Sequence, residues 1–120
     1  MRAAIITAPR PGGASYLERA LRQITRWMPP DDVRIFSDTL EGPGAIEGVP
    51  VTYATPGHLD RVRRFECLGS LNFARAADWV GEAGHGCVFE DDVELADEWH
   101  SRAEALAGCA DGLHSSAGTS

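Results

Sequence analysis

The sequence has no lysine, only three cysteines and no long apolar run. Because Cys67, Cys87 and Cys109 are odd in number and widely spaced, they predict neither a disulfide framework nor a zinc site, and we expect reduced thiols. No segment approaches the length of a membrane-spanning helix, and the apolar run at the start of the chain is too short for a signal peptide. These absences favour a cytoplasmic location.

Positive charge is also scarce. The chain carries 11 basic and 18 acidic residues, which gives a formal net charge of −7. No basic stripe dominates, and this argues against a nucleic-acid-binding surface. The densest basic patch, formed by Arg61, Arg63 and Arg64, is flanked by Asp60 and Glu66. We therefore favour a solvated turn there over a phosphate site.

The hydrophobic pattern predicts one α/β domain over residues 1–107 and a flexible polar tail over residues 108–120. Strands are expected at residues 3–7, 32–38, 49–53 and 87–90, and helices at residues 15–27, 66–82 and 96–107. Ser15 and Glu18 have the spacing of a capping box at the start of the first helix. This order of elements predicts a three-layer α/β/α, Rossmann-like fold with a mostly parallel sheet.

The most informative segment is an apolar run, beginning at Cys87, that ends in three consecutive carboxylates, Glu90, Asp91 and Asp92. A buried strand would carry these acids to the carboxyl edge of the sheet, where open α/β folds bind ligands. Adjacent acids repel one another unless a cation or solvent takes up the charge. A Mg²⁺ or Mn²⁺ ion that bridges to phosphates is one interpretation, and a helix cap formed by Asp91 or Asp92 is the other.

Two more predicted strands end at the same edge. Thr7 ends the first strand, and Arg10 in the next loop could meet a phosphate or remain solvated. Asp38 ends the second strand, where it could accept hydrogen bonds from a ribose or a base, or form a turn. Asn72 interrupts the apolar face of the second predicted helix and needs a partner, either a ligand or a backbone carbonyl.

Three segments occur in an order typical of one enzyme family. They are Ile5-Ile6-Thr7-Ala8-Pro9-Arg10 followed by Ser15-Tyr16-Leu17, then residues 64–79, then Val88-Phe89-Glu90-Asp91-Asp92-Val93. Together they resemble nucleotide-sugar-dependent glycosyltransferases of the GT-A fold over residues 3–107. The likeness is to small bacterial and phage-borne members and to the N-acetylglucosaminyltransferases that branch N-glycans. The third segment looks like the acidic metal motif of that fold in its "EDD" form.

The resemblance implies a role for each motif. The implied nucleotide-binding residues are Thr7, Pro9, Arg10, Asp38, Asn72 and Asp91. Asp92, with Glu90 beside it, would hold Mn²⁺ or Mg²⁺ on the diphosphate of a sugar nucleotide. The ion would then stabilise the negative charge that develops on the departing nucleoside diphosphate.

The chain also departs from the family's pattern. A complete GT-A domain is about twice as long, and the acceptor-binding strands and the catalytic base have no positions here. We therefore expect a donor-binding half, either truncated or completed by self-association or by a partner chain, with an unknown acceptor. The rival from another class is a non-catalytic acidic interaction or metal-binding module on an α/β scaffold. A phosphotransfer receiver-like domain ranks last because the chain has no lysine.

Overall fold

The computed structural model of the protein describes residues 1–8, 13–57 and 70–106. Five strands and three helices lie in these ranges. In chain order they are β1 (Arg2–Thr7), α1 (Gly13–Thr25), β2 (Val33–Ser37), β3 (Ala45–Ile46), β4 (Val49–Thr52), α2 (Ser70–Gly81), β5 (Gly86–Glu90) and α3 (residues 99–106). None of the helices in the described ranges has the length and apolar character needed to span a membrane.

The five strands form one sheet in the order β3-β4-β2-β1-β5. Every neighbouring pair is parallel except β3 and β4, which form an antiparallel hairpin. From β1 the chain moves outward through β2 to β4, and it then returns to place β5 on the other side of β1. The strand order therefore reverses between β1 and β5, which is where open α/β sheets bind ligands. The predicted α/β class and mostly parallel sheet are confirmed.

Helices cover both faces of the sheet, because side chains on β1 alternate between two core clusters. Ala3 and Ile5 belong to the larger cluster, which α1 and Trp99 of α3 complete. Ala4 belongs to the smaller cluster, which Val80 of α2 helps to form. The larger cluster consists of Ala3, Ile5, Leu17, Leu21, Ile24, Met28, Val33, Ile35, Val49 and Trp99, and the smaller of Ala4, Phe36, Ala76 and Val80.

Several predicted helix boundaries differ from those observed, by one to three residues. Helix α1 is described from Gly13, two residues before the predicted start at Ser15, and the capping box of Ser15 and Glu18 stays a prediction. It ends at Thr25, whose hydroxyl donates to the carbonyl oxygen of Leu21 at 2.8 Å. Helix α2 is described from Ser70, and residues 66–69 lie outside the described ranges. Helix α3 begins at residue 99, three residues later than predicted, and the predicted tail is not among the described residues.

The sequence analysis missed strand β3. Glu47 and Gly48, between β3 and β4, have φ angles of 52° and 78°. Positive φ at both central residues is the geometry of a type I′ hairpin turn, and glycine adopts it at little cost. A two-residue strand is too short to show an alternating pattern, so this segment was predicted only as turn-rich.

Gly86, the first residue of β5, allows β5 to approach β1 closely. A Cβ atom at this position would lie 1.9 Å from the carbonyl oxygen of Arg2 and 2.6 Å from Cγ1 of Val80. We expect Gly86→Ala to lower the free energy of unfolding by about 2 kcal/mol or more, because the backbone of β1 would have to move. Urea denaturation monitored by tryptophan fluorescence measures this change.

Gly44→Ala is the matched control, because a Cβ atom at Gly44 would have nothing within 4 Å. It should change stability by less than about 0.5 kcal/mol. Equal losses in the two variants would contradict the close approach of β1 and β5.

Candidate functional site

Thr7 and Asp91 meet at the carboxyl edge, at the ends of β1 and β5. The Thr7 hydroxyl donates a hydrogen bond to Oδ2 of Asp91 at 2.7 Å, across 84 residues of sequence. The parallel pairing of β1 with β5, which runs from Arg2↔Gly86 to Ile6↔Glu90, brings the two side chains together. Asp91 is only 2% exposed, so the middle acid of the motif is directed into the protein.

The three consecutive acids therefore diverge. The amide of Val93 donates to the carbonyl oxygen of Glu90 at 3.3 Å, which makes Asp91 and Asp92 the central residues of a turn. Asp92 and Glu90 are both exposed, in contrast to Asp91. Glu90 pairs with Ile6, whose side chain lies on the α2 face of the sheet, whereas Asp91 contacts Thr7 on the opposite face. The three carboxylates of the motif therefore do not lie on one face of the sheet.

The arrangement of these acids limits how a cation could be held. Within residues 1–8, 13–57 and 70–106, no group of three or more His, Cys, Asp or Glu residues is arranged to hold a metal ion. Asp92 alone, exposed at the carboxyl edge, still fits Mg²⁺ or Mn²⁺ chemistry, since such ions often take one or two carboxylates and complete their coordination with phosphates and water. Whether Asp92 and Glu90 are metal ligands stays a prediction.

Asp38 lies beside this contact. Its backbone amide donates to the carbonyl oxygen of Thr7 at 3.1 Å, which joins the end of β2 to the end of β1. The Ser37 hydroxyl accepts a hydrogen bond from the amide of Thr39 at 3.1 Å, and the carbonyl oxygen of Thr39 accepts one from Ala54 at 2.8 Å. These bonds fix the chain on both sides of Asp38, so the predicted convergence of Thr7, Asp38 and the acidic motif is observed.

Asn72 and Arg75, one turn apart on α2, hold the ends of β2 and β4. The amide nitrogen of Asn72 donates to the carbonyl oxygen of Phe36 at 2.8 Å, and its oxygen accepts from Nη2 of Arg75 at 2.7 Å. Arg75 also donates to the carbonyl oxygens of Ser37 at 3.2 Å and Tyr53 at 3.1 Å. Asn72 is only 1% exposed, and both the nitrogen and the oxygen of its side-chain amide form hydrogen bonds within the protein. Its predicted contact with a ligand stays a prediction.

Arg75 was not among the predicted site residues, although its spacing from Asn72 on the helix is a usable signal. Burial lowers the pKa of Arg75, and the nearby carboxylate of Asp38 acts in the opposite direction. The guanidinium therefore contributes positive charge beside Asp38, and the backbone carbonyls it bonds keep it in place. Among the described residues of this edge, the positive charge of Arg75 is the main electrostatic feature that was not predicted from the sequence.

Helix α1 anchors the segment that follows the turn at Asp91 and Asp92. The side-chain oxygen of Gln23 accepts a hydrogen bond from the amide of Leu95 at 2.6 Å. Arg19 and Glu94 form an exposed ion pair at 3.2 Å, which contributes little because water screens it. Trp99 packs edge-on against Phe89, with ring centroids 5.5 Å apart. The turn at Asp91 and Asp92, called the acidic turn below, is thus held on one side by β5. On the other side it is held by α1 and by the core, through Leu95 and Trp99.

Several predicted residues lie outside the described ranges. They are Pro9, Arg10 and the basic patch at Arg61, Arg63 and Arg64, together with Cys67 and Cys109. Cys87 is described and is a free, half-buried thiol, and the reduced state of all three cysteines stays a prediction. Burial raises its pKa, which makes it a weak nucleophile.

Comparison with known proteins finds no match to this chain among family models, curated proteins or solved structures.

The hydrogen bond from Thr7 to Asp91 can be tested by removing only the hydroxyl. We expect Thr7→Val to lower the free energy of unfolding by about 1–3 kcal/mol, because a buried carboxylate loses a donor while the side-chain shape is kept. Thr7→Ser keeps the hydroxyl and should lose less. Urea denaturation measures both variants, and an equal loss in the two would argue against the hydrogen bond as the cause.

The contact between Asn72 and Arg75 makes a separate prediction. Asn72→Ala should lower the free energy of unfolding by about 2–3 kcal/mol, because it removes partners from Arg75 and from the Phe36 carbonyl. The control is Asp78→Ala at an exposed position on the same helix, for which we expect a change within about 0.5 kcal/mol. Thermal unfolding compares them, and similar melting temperatures would contradict the proposed role of Asn72.

Proposed function

We propose that this domain binds the nucleoside-diphosphate part of a sugar nucleotide and acts as the donor-binding half of a GT-A-like glycosyltransferase. The observation that carries the proposal is the contact of Thr7 with Asp91 between β1 and β5. It lies where the strand order reverses, which is the usual ligand position in open α/β sheets. It also joins the first and third of the motifs that resemble that family.

The buried position of Asp91 supports a division of roles within the acidic motif. Asp91 ties the turn to Thr7 and so fixes the backbone from which the exposed Asp92 extends. In the proposal, Asp92 supplies a carboxylate oxygen to Mn²⁺ or Mg²⁺, and Asp91 holds Asp92 in position. When bound, the ion would offset the charge of the diphosphate.

Asp38 provides the second recognition element. Acids at the ends of neighbouring strands accept hydrogen bonds from ribose hydroxyls in nucleotide-binding α/β folds. The hydrogen bond from the backbone amide of Asp38 to the carbonyl oxygen of Thr7 keeps the two strand ends adjacent, so in the proposal a ribose at Asp38 and a diphosphate at Asp92 fall along one edge. The guanidinium of Arg75 interacts electrostatically with Asp38 and adds a positive charge to this part of the edge. The acceptor and a cytoplasmic location remain expectations from the sequence.

The rival function is an acidic interaction surface. Such a surface would expose the carboxylates of the motif together, but Asp91 is 2% exposed and Glu90 lies on the opposite face of the sheet. Because the acids diverge, the turn is better suited to position one carboxylate than to form a charged patch.

A thermal-shift experiment tests the proposal on the full chain with UDP, GDP and CDP, each with and without Mn²⁺. We expect one nucleotide to raise the melting temperature only when Mn²⁺ is present. At a ligand concentration of about 100 times the dissociation constant, the stabilisation is about 2.7 kcal/mol, which corresponds to a shift on the order of 10 °C.

Asp92→Asn should abolish most of the nucleotide-dependent shift. Asp31→Asn is the matched control, since it removes one charge at an exposed position just before β2, at the amino edge of the sheet. Its shift should equal that of the unmodified protein. The proposal fails if no nucleotide stabilises the protein with Mn²⁺, or if both variants keep the full shift.

A further inference from the structure

The two edges of the sheet are built differently. At one edge, β3 has only two residues and pairs with β4, which contains Pro50, and short strands and prolines are features that protect an edge from further pairing. At the other edge, β5 has five residues, no proline and no charge within Cys87–Phe89. In the described part of the chain, β5 pairs only with β1.

The open side of β5 is also apolar. Cys87, Val88 and Phe89 are half-buried, in contrast to the fully buried Ala3, Ala4 and Ile5 that pair with them on β1. A strand of this length, without charge in its middle, exposes backbone donors and acceptors together with apolar side chains. Edge strands with these properties are templates for pairing with another strand.

We propose that β5 pairs with β5 of a second copy of this chain, in antiparallel orientation, to form a continuous ten-stranded sheet about a twofold axis near Val88. Such an interface is self-complementary, because each copy offers the same strand to the other. The inference depends only on the sheet edge and its charges, and it is independent of the proposed function.

The distribution of charge favours this orientation. The acids Glu90 and Asp92 lie at one end of β5, and Gly86 lies at the other, beside Arg2 on β1. Antiparallel pairing centred on Val88 places Glu90 of each copy opposite Gly86 of the other copy. The side chain of Glu90 then lies on the same face of the sheet as that of Arg2. Gly86 carries no charge, so Glu90 of one copy meets no acid there, and Arg2, which forms an ion pair with Glu82 at 3.2 Å, lies on the next strand on that face. Parallel pairing in register would instead place acids beside acids, which is unfavourable.

Sedimentation velocity over a range of about 1 μM to 1 mM, with a reducing agent present, tests the proposal. We expect a reversible, concentration-dependent dimer of modest affinity, because one strand pair buries less area than a stable interface. Hydrogen–deuterium exchange at the two ends of this range should show β5 amides that are more protected at high concentration, while the amides of β2 do not change.

Cys87→Lys is the disrupting variant. Cys87 belongs to neither core cluster, and in the proposed pairing the two introduced lysines would be diagonal neighbours. The dissociation constant should rise by at least about 10-fold. Ala45→Lys adds the same charge at an exposed position on the opposite edge and should leave the dimer unchanged.

Two results would overturn the proposal. One is a chain that stays monomeric throughout the concentration range. The other is a dimer in which β5 amides exchange at the same rate at low and high concentration, which would place the interface elsewhere. If Cys87→Lys lowers the melting temperature of the monomer, the exchange measurement on the unmodified chain still decides the question.

Discussion

The parallel pairing of β1 with both β2 and β5 is the constraint on which the rest of the structure depends. Residues of β1 contribute to the core on both faces of the sheet, and the neighbours of β1 bring Asp38 and Asp91 to its carboxyl end. Because β5 is separated from β1 by most of the chain, this pairing is non-local, and loop-closure entropy opposes it. Two features stabilise opposite ends of the β1–β5 pair. Close packing at Gly86 stabilises the first end, and the buried hydrogen bond between Thr7 and Asp91 stabilises the second.

A buried carboxylate at the end of a strand has a defined energetic consequence. A polar group out of water is costly unless it keeps hydrogen-bond partners, so the bond with Thr7 both stabilises Asp91 and fixes the rotation of the turn. The direction of Asp92 then follows from the geometry of the turn. If Asp92 binds a cation, as proposed, a backbone held in one place lowers the entropy lost on binding. Three convergent acids would instead repel one another in the absence of the ion.

The sequence was sufficient to predict most of the fold. Apolar runs bounded by turn residues located four of the five strands to within a residue or two, and the spacing of strand ends predicted that Thr7, Asp38 and the acidic motif would share one edge. Other features depended on quantities that a single sequence does not contain. The inward direction of Asp91 follows from the register of β5 on β1, and the role of Arg75 follows from how α2 packs against the ends of β2 and β4. Strand β3 was missed because two residues show no periodicity.

The edge of β5 and the proposed donor site lie on the same strand, so dimerisation and nucleotide binding would share one element of the sheet. Antiparallel pairing across β5 directs the acidic turns of two copies toward opposite ends of the joined sheet. A second copy paired in this way does not place its own turn beside the first, so neither turn contributes to the proposed site of the other copy. Dimerisation and nucleotide binding should accordingly be separable: loss of the β5 contact should leave the nucleotide-dependent stabilisation in place.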